Sequence, residues 1–232
     1  VTHVRAHRPG RYRRQGLLIA AALTAAALVT GCQSDTGGGS GGGAAAPLSL
    51  GGLTGTADKV PDGGASTCPL PYDLAAAAKK AGLEGEVGPG PVKADGDPVA
   101  TAEGGKRAKP GEPLAENPGV LVSCTFHIGK DDVEVHTVAT GKPQALAPLA
   151  PVVQRLSGSS VDELVAYLKK AGDAGAGKAV VTGSGNVAAV RLKLDGDGDA
   201  SLLVGLGEAG AGSPDRTRRT GALAEALAAQ LP

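Results

Sequence analysis

The chain has 232 residues, 23 basic against 23 acidic side chains and 41% hydrophobic residues, enough for one domain or a small pair of domains with a core. Arg5, Arg8, Arg11, Arg13 and Arg14 precede residue 15 with no acid among them, so the remainder holds 18 basic against 23 acidic groups, a net of −5 that excludes an electrostatic footprint for nucleic acid. Aromatics are limited to Tyr12, Tyr72, Phe126 and Tyr167, too few to build a stacking platform for bases or sugars.

Residues 1–16 are basic, and residues 17–29 (LLIAAALTAAALV) are apolar with one Thr. A helix of that length spans about 20 Å, short of the roughly 30 Å hydrocarbon core of a bilayer. A basic stretch, a short apolar stretch and small residues after it predict a secretory signal peptide over residues 1–31. Val29, Thr30 and Gly31 stand before Cys32. This quartet resembles the lipobox of bacterial lipoproteins: a branched apolar residue, a small residue, then Gly or Ala before an invariant Cys. The resemblance implies a diacylglyceryl thioether on Cys32, cleavage after Gly31, and a mature chain held at the outer face of the cell membrane. Two acyl chains anchor stably where one is marginal. Arg13 and Arg14 form a partial twin-arginine pair, but Gly16 takes the usual aromatic position and favours the general secretory route.

From Cys32 to Ser66 the sequence contains GGGSGGG and few large apolar side chains, which predicts a flexible tether spanning on the order of 30 Å. The body is then expected over residues 67–232. With Cys32 lipidated, Cys68 and Cys124 remain as an even pair in an oxidising compartment and are expected to form a disulfide.

Helices are predicted over DLAAAAKKAG (73–82), about 148–156, and SSVDELVAYLKKAG (159–172). The last carries an S-x-x-E capping box at Ser160 and Glu163 and an apolar stripe of Val161, Leu164, Val165 and Leu168. A final helix follows Ser213 and Pro214, with Leu223, Leu227 and Leu231 on one face. Hairpins are predicted over 120–141, turning at Gly129 to Asp132, and over 186–207, turning at Asp195 to Asp199. Residues 73–82 align with 163–172 in six of ten positions, which suggests two helix–hairpin–helix halves, 67–158 and 159–232. The fold expected is α+β: one antiparallel sheet built from two hairpins, with helices packed on one face. The intervening stretch Gly85–Pro118 is rich in Gly and Pro and reads as a surface loop. The body also resembles small lipoprotein domains of high-GC Gram-positive bacteria in which a Cys before the first helix pairs with a Cys on a strand, a resemblance that implies no activity.

Chemistry-bearing motifs are sparse. Gly172 to Ala179 (GDAGAGKA) has the outline of a phosphate-binding loop. Ala179 replaces the magnesium-holding hydroxyl, however, and the stretch runs from helix to strand rather than strand to helix, so no nucleotide is expected. Asp195 to Asp199 (DGDGD) has alternating carboxylates but lacks the sixth-position Gly and twelfth-position Glu of an EF-hand. His127, Glu134 and His136 are the metal candidates. If Ile128 pairs with Val133, His127 faces Glu134 and His136 lies diagonally, about 7–8 Å away. Three ligands on an exposed sheet face read first as solvated side chains, so neither metal nor cofactor is expected. Ser184 lies in a Gly-rich turn outside any G-x-S-x-G elbow. The function expected is a membrane-anchored, non-catalytic binding or interaction module, taking an extracytoplasmic protein or small ligand. The alternatives are an envelope hydrolase that depends on His127 or Glu134, and a structural spacer.

Overall fold

The computed structural model describes residues 46–93 and 96–232. The predicted signal peptide, Cys32 and the Gly-rich start of the tether lie outside the described residues. Among the described residues no helix is long and apolar enough to cross a membrane.

The body begins about twenty residues earlier than the composition suggests. Helix α1 (Leu50–Ala57) is capped by Ser49, whose hydroxyl accepts the Gly52 N–H at 3.1 Å. Leu53, 1% exposed, and Ala57 sit four apart on one face and enter the core with Leu48. Leu48 also donates its N–H to the Pro232 carbonyl and accepts the Asp195 N–H. The predicted tether over 32–66 therefore gives way to folded chain by Leu48: three well-spaced apolar residues supply burial despite the surrounding glycines.

Helix α2 (Leu74–Ala81) is capped by Asp73 and stopped by Gly82 in the left-handed region. The stretch read as a surface loop instead supplies β1 (Val87–Pro89), β2 (Ala100–Gly104) and the short α3 (Pro113–Glu116). Two basic residues of this stretch, Lys106 and Arg107, are tied to α1. Arg107 donates to the carbonyls of Ala57 and Val60 past the end of α1, and Lys106 lies 3.3 Å from Asp58.

Strands β3 (Gly119–Ile128) and β4 (Asp131–Thr140) form the first hairpin. Helices α4 (Ala150–Ser157) and α5 (Val161–Asp173) follow, then β5 (Ala179–Val181). The second hairpin is β6 (Val187–Leu192) and β7 (Asp199–Leu206), and α6 (Pro214–Ala228) closes the chain. All pairings are antiparallel in the order β1-β3-β4-β7-β6-β5, with β2 beside β1 along the free edge of β3. The α+β fold and the single antiparallel sheet stand as expected.

Further expectations change within the sheet. The hairpin turn is two residues, Gly129 and Lys130, so Ile128 pairs with Asp131 rather than Val133. Gly129 has φ 60° at the first central position, as a type II′ turn requires. Helices also cover both faces of the sheet, not one. Val120, Val122, Cys124, Phe126, Val133 and Val135 alternate to a first face packed with α1, α2 and α6, while Leu121, Val138, Ala189 and Leu203 point to a second face packed with α4 and α5. The helices that a repeat would equate consequently fall on different faces. Buried Leu74, Ala77 and Ala81 of α2 correspond in spacing to Leu164, Tyr167 and Ala171 of α5, yet the two helices lie on opposite faces. The Cys68–Cys124 disulfide forms and ties the segment before α2 to the middle of β3, on the first face.

Candidate functional site

The second face is only partly covered. Helices α4 and α5 lie over β5, β6, β7 and one flank of β4, and α3 places Leu114 with Leu121. Between them, Thr101 and Glu103 on β2 are exposed, and Ser123, Thr125 and Glu134 on β3 and β4 are half-buried. The result is a polar strip along β2–β3–β4, flanked by α4.

The strand pairing sets its geometry. Odd-numbered residues of β3 direct their backbone groups to the outer edge, as Thr125 N–H to Val99 O does. Ser123 and His136 are therefore opposite each other at a non-hydrogen-bonded position, where side chains approach most closely. Ser123 Oγ lies 2.8 Å from His136 Nδ1, and His136 Nε2 lies 3.1 Å from Glu134 Oε2. Arg155 of α4 donates Nη1 to Glu134 Oε1 at 3.0 Å and Nη2 to Oε2 at 2.6 Å. Helix α4 comes this close because Gly205, opposite Glu134, has no side chain: a Cβ there would stand 2.8 Å from Leu156 Cδ1.

Burial alone would raise the Glu134 pKa, but the hydrogen bonds from His136 and Arg155 outweigh it and hold the carboxyl down to about 2. An ionised carboxylate only accepts, so His136 Nε2 carries the proton toward Glu134. In the neutral imidazole Nδ1 is then an acceptor, and the Ser123 hydroxyl must donate to it. In that neutral form one carboxylate, itself held by an arginine, sets the direction of a hydrogen-bond chain three residues long.

The three metal candidates do not converge. His127 lies opposite Asp132, and His136 is four residues further along β4, about 13 Å away at 3.3 Å per residue. His127 Nδ1 is engaged by the Gly90 carbonyl at 3.0 Å, over Gly88, where a Cβ would meet the ring at 2.5 Å. The predicted diagonal pairing of His127 with His136 fails because the turn is two residues shorter than assumed. Among the described residues no group of three His, Cys, Asp or Glu is arranged to hold a metal ion.

The remaining motifs are structural in placement. The stretch Gly172 to Ala179 connects α5 to β5, so it runs helix to strand. In the Asp195–Asp199 turn, Asp199 is buried and receives Arg191 and the N–H groups of Gln144 and Ala145. Ser184 donates to Asn186 Oδ1 at 2.7 Å, which in turn ties the β5–β6 turn to Leu156 O and Gly207 O.

Sequence reading missed Ser123 as a functional candidate and paired His127 with the wrong neighbours. Correct register would have revealed the first, since cross-strand partners on one face are read directly from it. The chain matches no protein-family model, no curated protein and no solved structure.

Proposed function

We propose that this protein is a lipid-anchored extracytoplasmic module that binds a protein or small ligand through the polar strip on β2, β3 and β4. The observation that carries the reading is the uncovered strip itself. A sheet buried on its other face, and elsewhere covered by helices on this one, leaves here a row of hydroxyls and carboxylates over the buried His136 imidazole. The lipobox-like Val29-Thr30-Gly31-Cys32 supports the location, with the folded body starting at Leu48, about sixteen residues beyond the anchor.

Two measurements test it. Cys32→Ser is expected to move the protein from the membrane fraction to the soluble fraction. A photo-cross-linking residue at Thr125 is expected to give a discrete adduct in intact cells that the same residue at Lys80, exposed on α2, does not give. Identical adducts from both positions, or none from Thr125, would contradict the strip as the recognition surface.

A further inference from the structure

The geometry points to Ser123 as a nucleophilic serine, activated by His136 and held in register by Glu134 and Arg155, that accepts an acyl group from small carboxylic esters. This departs from the non-catalytic expectation. It needs from the binding reading only that the strip be open.

A hydroxyl is a poor nucleophile until a base within hydrogen-bond reach takes its proton and a third group orients that base. Ser123 Oγ is 2.8 Å from His136 Nδ1, and the opposite ring nitrogen donates to Glu134 at 3.1 Å. The acceptor-only Glu134 carboxylate places the ring proton on Nε2 and, in the neutral ring, leaves Nδ1 to accept. His136 is 7% exposed, so its base function is shielded, while Ser123 is half-buried at the floor of the strip. The groups around the imidazole are Ser123 on β3, Glu134 on its own strand, Arg155 on α4 and Leu203 opposite it on β7.

The step balances. Ser123 Oγ bonds to the ester carbonyl carbon as its proton passes to His136 Nδ1. The tetrahedral adduct collapses, the bond to the alcohol oxygen breaks, and His136 returns the proton to the leaving alkoxide. Water then attacks acyl-Ser123 by the same route and releases the carboxylic acid. Backbone N–H groups of β3 are committed to the ladder, so no main-chain oxyanion hole forms there. Thr101, directly cross-strand, and Thr125, two residues along, share the face of Ser123 and are the nearest hydroxyl-bearing residues in register. Two neutral hydroxyl donors predict slow turnover compared with a backbone-lined site. Ser123 and His136 are the catalytic residues of this scheme; Glu134 and Arg155 are positioning residues.

The test is labelling of the full chain by a fluorophosphonate, whose phosphorus Ser123 attacks with loss of fluoride. A single adduct on the peptide containing Ser123 is expected, absent in Ser123→Ala and in His136→Gln. Glu134→Gln is the sharper variant, because an amide can donate to Nε2 and reverse the tautomer. Labelling is expected to slow at least tenfold, with the His136 ring-nitrogen NMR shifts moving from the Nε2–H form toward the Nδ1–H form and the circular dichroism unchanged. No adduct in the wild-type chain, or an adduct formed equally fast in Glu134→Gln, overturns the assignment. A chain that fails to label but still gives the Thr125 cross-link loses the nucleophile and keeps the binding reading; one that fails both loses both.

Discussion

The two faces of the sheet are built from the same strands and do different work. The first face is apolar along β3 and, except for buried Thr137, whose hydroxyl meets that of Tyr72, along β4; it is roofed by α1, α2 and α6 and stapled through Cys124. The second is apolar only where α3, α4 and α5 reach it, and becomes Thr, Ser, Glu and His along β2, β3 and β4. Because side chains alternate along each strand, one strand can serve stability on one side and chemistry on the other without conflict. Val122 and Cys124 flank Ser123 in sequence yet point to the opposite layer. The site is positioned by a scaffold whose stability rests mainly on the first face.

If that division holds, substitutions should separate by face. The largest effect is expected from Cys68→Ala with Cys124→Ala. Opening a cross-link between residues 56 apart costs about 4 kcal/mol in the chain-entropy model, read as a lower denaturant midpoint. Next, Leu53→Ala in α1 is expected to cost about 3 kcal/mol, as for other fully buried leucines. An unchanged midpoint would return residues 48–57 to the tether and remove part of the first face's roof.

A smaller effect separates the polar strip. The Glu134 carboxyl, at an ordinary 4.5 when unfolded and about 2 when folded, stabilises the native state fully above pH 4.5. That contribution is lost as pH falls through about 2. Half-exposed Arg155 is screened by solvent, so the loss is expected to be on the order of 1 kcal/mol. The measurement is the difference in unfolding free energy between wild type and Glu134→Gln at pH 2 and pH 6. Smallest of all, Thr101→Ala and Thr125→Ala are expected to stay within about 0.5 kcal/mol of wild type while weakening ligand capture.

Much of this architecture is readable in the chain. The capping box at Ser160 and Glu163, the cap at Ser213, both hairpins and the Cys68–Cys124 bridge all follow local rules, and each forms. Helix α1 escaped because three glycines and two threonines surround Leu50, Leu53 and Ala57, so composition masked a valid i, i+3, i+7 spacing. On α5 the stripe turns toward Leu164, Tyr167 and Ala171, leaving Val161 and Val165 64% and 60% exposed. Tyr167 is drawn inward with its hydroxyl donating to Val180 O, which a pattern of purely apolar residues does not anticipate. The two-faced burial was written in β7, where every residue is buried and the run SLLVGL breaks strict alternation. Ser123, Glu134 and His136 came together only once the Gly129–Lys130 turn fixed the register, a two-residue decision that moves every cross-strand partner.

The most direct test of the open second face is the native-state alkylation rate of two single-cysteine probes placed on that same face. Thr101→Cys stands on exposed β2, and Ser201→Cys stands on β7 among the covered residues. Reaction at position 101 at the rate of a free exposed thiol, with protection at 201 until the protein unfolds, is the expected result. Equal protection at both positions would mean that the strip is covered, and would contradict the account.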